Sequence, residues 1–209
     1  MASPETLKEL VRGNIVVSRV QKANHIVYLV FLKKPKADFY KGALKEYGVM
    51  EQRGKKMSLA ELKDELEEPF GHMLYEEFLG MIIGKARFKK PKDAGIFLGM
   101  VETMLFRLEK IRKEFGWEYE KALDEGIKPK ELVARLKDFY PLIAASRKDK
   151  GERGRGVGGY VLDYILNDLK KMRVKWVFVP QASDPIIPIL KHKGWATIHE
   201  KYSYSKVLK

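Results

Sequence analysis

The sequence contains no cysteine, which excludes disulfides, thiolate metal ligands and a cysteine nucleophile, and favours the interior of a cell. Amide side chains are scarce as well, with three Gln and three Asn in 209 residues. That scarcity beside many Lys, Arg and Glu suits a thermophile, where ion-pair networks replace thermolabile amides. Long apolar runs are also missing. The longest, His25 to Leu32, is far below the ~20 residues of a spanning helix, and the Met-Ala-Ser-Pro-Glu start lacks the basic and apolar regions of a secretion signal. A cytoplasmic protein with no membrane partner is expected.

What is present is a heavily charged globular composition, 45% hydrophobic and 33% charged, long enough for one domain carrying a large insertion. A formal charge of +13 and a pI near 9.6 imply attraction to polyanions, whether nucleic acid, an anionic membrane surface or an anionic cofactor. The densest basic stretch holds Lys85, Arg87, Lys89, Lys90 and Lys92, with no acid and Phe88 as its one aromatic. It is a candidate nucleic-acid contact, set against a plain solvated surface, because stacking platforms interleave several aromatics with the charge.

Along the chain, Asn14 to Val20 and His25 to Leu32 are β-branched and aromatic runs separated by Gln21-Lys-Ala-Asn24, which predicts an antiparallel hairpin whose second strand is buried on both faces. From 36 to 138 the pattern is mostly helical. Ser58 and Glu61 form a capping box. Phe97, Val101, Met104, Leu105, Leu108, Ile111 and Phe115 recur at helical spacing, predicting a helix from an Asp93 cap to Gly116, and Pro129 opens a shorter one ending near Asp138. The segment 78–88 fits either a helix end or a strand. From 139 onward the reading is β-α-β-α-β: a strand at 139–146, a helix at 157–172, a strand at 174–179, a short helix at 186–193, and closing strands at 195–208. The first two of these strands should be parallel.

The junction before the second helix carries the chemistry. Gly156, Gly158 and Gly159 allow a sharp turn and a close approach of backbone N–H groups to a ligand, and the helix start adds free donors and partial positive charge. Arg147, Lys148, Lys150, Arg153 and Arg155 outnumber Asp149 and Glu152. The loop suits a pyrophosphate. A nicotinamide-type dinucleotide turn is disfavoured, since no acid closes a second strand about 20 residues on.

The run Arg153-Gly154-Arg155-Gly156-Val157-Gly158-Gly159-Tyr160-Val161-Leu162 is similar to the (Q/R)-x-x-G-x-(G/A) motif of the GCN5-related N-acetyltransferases. The Gly194-Trp195 pair before the closing strands also resembles that family's C-terminal half. The resemblance covers 138–209. It implies an α/β (α+β) fold with a central mixed sheet and a largely helical insertion in the N-terminal half: strands at 1–35, a substrate region at 36–138, and an acetyl-CoA-binding half at 139–209. It further implies that the backbone from Arg153 to Gly159 holds the coenzyme A pyrophosphate, that Ala145 and Ser146 pair with the pantetheine arm, and that acetyl passes directly to a primary amine. Independently of the resemblance, the helical block at 36–138 suits an acceptor site or the face of a homodimer.

Two positions depart from the family's pattern. Leu190 stands where many members carry a tyrosine as the acid for the departing thiolate, and Ser183 stands where an asparagine contacts the cofactor. Leucine cannot donate a proton, so the catalytic residues stay open, with Tyr202, Tyr204 and His192 as substitutes, each also readable as packing or surface, and Asp138, Asp184 and Glu200 as conceivable bases. The other reading is a basic, nucleic-acid-associated or nucleobase-modifying protein on the same scaffold without ordinary acetyl transfer. No metal site is expected.

Overall fold

The computed structural model describes residues 15–33, 94–140, 157–184, 186–199 and 202–209. The chain divides into two compact units, Met1–Ser18 with Leu29–Leu98, and Arg19–Tyr28 with Gly99–Lys209. Most described residues belong to the second. The segments 36–93 and 141–156, which hold the Ser58 capping box and the stretch 78–88, lie outside the described residues.

The two N-terminal runs form β1, Ile15–Lys22, and β2, His25–Lys33, neighbours in the sheet joined by a two-residue turn in which Ala23 has φ +52°. Residues Ile26 to Phe31 are wholly buried, as their unbroken apolar character predicts.

The predicted helix from Asp93 to Gly116 is corrected. Residues Ala94–Arg107 form a long strand, β3; only Leu108–Ile111 coil into a short helix, α1, and Gly116 begins a further helix, α2 at Gly116–Asp124. Gly95 and Gly99 each cost a helix interior about 1 kcal/mol against alanine, and Gly99 has φ +143°, a conformation glycine alone adopts readily. Ile96, Phe97, Val101, Thr103 and Phe106 are strand formers. Burial runs continuously from Gly99 to Thr103, so the apolar residues follow no two-residue alternation and their spacing imitates a helix.

The second correction is adjacent. Instead of a helix from Pro129 to Asp138, Leu132–Tyr140 form β4, antiparallel to β3 with Leu105 opposite Ala134 and Phe106 opposite Val133. Pro129 lies in the turn before it, its carbonyl accepting from Glu109 N–H at 2.9 Å. Pairing on both edges overrides local helix preference here.

Of the strand expected at 139–146, Phe139 and Tyr140 are the end of β4 and 141–146 lie outside the described residues; from 157 onward the elements follow the expected order. Helix α3, Val157–Lys171, crosses from β4 to β5, Trp176–Val179, and β5 lies parallel to β4 with Val133 opposite Trp176 and Arg135 opposite Phe178. Helix α4, Ile187–His192, leads to β6, Ala196–Thr197, and β7, Tyr204–Val207, which are antiparallel to each other, with β7 also antiparallel to β5. The result is a mixed α/β fold whose seven-stranded, mostly antiparallel sheet runs β1-β2-β3-β4-β5-β7-β6. Leu108, Ile111, Tyr119 and Ala122 of α1 and α2 pack with Val133, Trp176 and Phe178. The strand pleat turns Val177 to the opposite face. On α3, Val161, Leu162, Ile165 and Leu169 are buried.

Helices α2, α3 and α4 stop the same way. In each, a residue with left-handed φ follows the cap: Gly126 at +82°, Arg173 at +62° and Gly194 at +69°. The N–H beyond it reaches back five residues, from Ile127 to Ala122 (2.9 Å), Val174 to Leu169 (3.1 Å) and Trp195 to Leu190 (3.1 Å). This is the Schellman arrangement, and Ile127, Val174 and Trp195 are all buried. The Gly194-Trp195 pair therefore has a local structural reason.

Candidate functional site

Because β4 and β5 are parallel and α3 connects them, the amino end of α3 falls at the carboxyl end of that strand pair, where open α/β sheets bind their ligands. The first turn of α3 contains no acidic residue and offers N–H groups with no partner inside the helix. Gly158 is buried and a Cβ there would stand 3.0 Å from Ile189 Cδ1. A Cβ on Gly159 would stand 3.4 Å from Lys193 Cε and 3.9 Å from its Nζ. Both glycines thus let α4 approach α3. The Lys193 ammonium is brought beside the first turn and meets Asp163 Oδ2 at 2.5 Å. Free donors and a first turn without acid fit a phosphate-bearing group, beside a Lys193 whose charge is shared with Asp163.

The other sequence-derived candidates scatter. Ala145, Ser146, Arg153, Gly154, Arg155 and Gly156, and the basic stretch at Lys85, Arg87, Lys89, Lys90 and Lys92, lie outside the described residues, as does Glu200; Val157 opens α3. Ser183 is exposed and its carbonyl accepts from Ile186 N–H at 3.0 Å. His192 and Asp184 are exposed. Asp138 lies in β4. Tyr202 ties the segment before β7 to the loop after β5, its carbonyl accepting from Ala182 N–H at 2.7 Å. Tyr204 is fully buried in β7, opposite Val179 and Thr197. Leu190 is fully buried and its carbonyl receives the Trp195 N–H, so its side chain belongs to the core beneath the end of α4. Pro188 sits in the first turn of α4, where a missing N–H costs nothing.

Several polar arrangements escaped the sequence reading. The buried Tyr28 hydroxyl donates to Asp168 Oδ2 at 2.7 Å, and Arg19 Nη1 reaches both Asp168 oxygens at 3.4 Å. Burial, then the hydrogen bond to Asp168, pushes the Tyr28 phenol far above its ordinary range. Tyr164, partly exposed on α3, meets the Tyr28 ring edge-on at 6.4 Å. On α2, buried Glu118 accepts from the Ser203 hydroxyl at 3.3 Å, and exposed Trp117 lies 4.4 Å from the His199 ring. The buried Trp176 indole donates to Glu125 Oε2 at 2.7 Å. A tyrosine and a tryptophan in apolar strands signal that each N–H or O–H needs a partner; the identity of the partner depends on topology.

Among the described residues no group of three His, Asp or Glu side chains gathers to hold a metal ion, and no helix is long and apolar enough to cross a membrane. No family model, curated protein or solved structure matches the chain.

Proposed function

We propose that the chain is an acetyl-CoA-dependent N-acetyltransferase acting on a primary amine in the cytoplasm. The observation that supports this most is the parallel β4–α3–β5 unit, in which Val157, Gly158 and Gly159, the described end of the glycine-rich run, open a helix whose first turn is free of acid. Backbone N–H groups of that run, with Lys193 beside them, would take the pyrophosphate. The acetyl thioester supplies the electrophilic carbonyl. The amine nitrogen bonds to that carbon as the C–S bond breaks, the amine gives up a proton to a base, and the departing thiolate takes one up. The family resemblance assigns the oxyanion donor to a backbone N–H near Ser146. Leu190 supplies no proton, so His192, Tyr202 or solvent fills that role; Tyr204, with no exposed surface, is the weakest of the substitutes.

Calorimetry with acetyl-CoA tests the reading. The wild type should bind and Gly156→Glu should not, and a wild type that shows no binding overturns it. Buried Leu190 favours a second reading, a basic nucleic-acid-associated protein that keeps the scaffold without ordinary transfer; it fails if duplex DNA is not retarded at low salt.

A further inference from the structure

Along the outer edge of β7 runs a groove of about 610 Å³. Strand β7 pairs with β5 from Tyr204 to Val207 but with β6 only at Tyr204 and Ser205. Beyond those two residues its outer edge is open among the described residues, because Gly194 bends the chain preceding β6 back into α4. Leu208 N–H donates to Lys175 O at 2.8 Å, on the β5 side. By the two-residue alternation of a strand, the N–H and C=O of Val207 and the N–H of Lys209 point the other way, into the groove. Leu166, Asn167 and Lys170 of α3 line it as well.

Its charge is one-sided. Of the acids on its wall, Asp163 is held by Lys193, and Glu125 by the Trp176 indole and Lys121. Lys170 and Lys209, both exposed, have no acidic partner among the described residues. Ser205, also on the wall, buries a hydroxyl that finds no hydrogen-bond partner there.

We propose that this groove binds an extended acidic peptide segment of a partner protein, added as a strand to β7. Unpaired main-chain groups at strand spacing match another extended backbone, and the two free lysines select acidic side chains. A second copy of the chain is a poor occupant, since each carries a net +13. The lysine of α3 that selects the peptide stands apart from the first turn, Lys170 lying about 18 Å along the helix from Gly158 at 1.5 Å per residue, while at its other end the groove reaches Asp163 and Gly194, next to Lys193.

The experiment uses the full chain, isotopically labelled, with a fluorescein-tagged, end-blocked hexapeptide alternating glutamate and valine. The peptide should bind with salt-sensitive affinity and shift the amide signals of Val207, Lys209 and Lys170. A lysine–valine peptide should not bind, and Lys170→Glu, a change at an exposed helix position, should weaken binding roughly tenfold. Val207→Pro, which removes the edge donor, should abolish binding in a protein whose melting transition shows that it still folds. Absence of binding, equal binding of both peptides, indifference to Lys170→Glu, or displacement of the peptide by glutarate, which marks a small-anion site, would each overturn the proposal.

Discussion

Gly158 of α3 and Ile189 of α4 meet so closely that a Cβ on the former would lie 3.0 Å from Cδ1 of the latter. Replacing a glycine inside a helix with alanine gains about 1 kcal/mol of helix propensity, while crowding against Cδ1 takes part of that back. Gly158→Ala should therefore be close to neutral in the wild type and stabilising by about 1 kcal/mol beside Ile189→Val, which lacks Cδ1. Gly158→Leu should destabilise by about 1–3 kcal/mol. Chemical denaturation of the four proteins of the alanine–valine cycle measures the coupling, and zero coupling would contradict the contact.

The three helix ends invite a matched set. Arg173 holds φ +62° in a place where glycine pays no Cβ penalty, so Arg173→Gly should raise stability by about 1 kcal/mol. Gly126→Ala and Gly194→Ala, where φ is +82° and +69° and the space is open, should lower it by about 1 kcal/mol each. Thermal melting of the three variants checks both signs.

Tyr28 gives a pH prediction. Its phenol is raised, first by burial and then by the bond to Asp168, above the ordinary value of 10.0. Above that pH the unfolded chain releases the proton while the folded chain keeps it, so the contribution is complete below pH 10.0 and falls as pH rises, at up to about 1.4 kcal/mol per pH unit. Tyr28→Phe should cost about 1–2 kcal/mol at neutral pH and lose that alkaline slope. If stability between pH 9 and 11 runs parallel for the two proteins, the Tyr28 phenol is not raised and its burial against Asp168 is contradicted.

The C-terminal half was legible because its elements are locally consistent: α3 carries a helical stripe, β5 is short, apolar and bounded, and Gly194 marks a helix end. The hairpin of β1 and β2 was legible for similar reasons. Strand β3 was misread because it is covered on both faces, so Val101, Met104, Leu105 and Leu108 fall at helical intervals while Gly95 and Gly99 carry the contrary signal. Strand β4 was misread because its neighbours β3 and β5, remote in sequence, decide its state. Within the candidate site, Gly158 and Gly159 stood out from composition alone. Their fit against Ile189 and Lys193 did not, since it depends on how α4 crosses α3. The partner of Tyr28 was not legible, since Asp168 lies 140 residues away.

Strand β5 has a consequence for the order in which the molecule can be made. Its four residues are buried on every side, with one edge met by β4 and the other by Tyr204–Val207. During synthesis β4 is already present when β5 emerges, and the partner for the second edge arrives only after α4 and β6. Until then Trp176 to Val179 form an apolar strand with an open edge, and it is this interval, rather than any weakness of the finished sheet, that exposes the chain to mispairing.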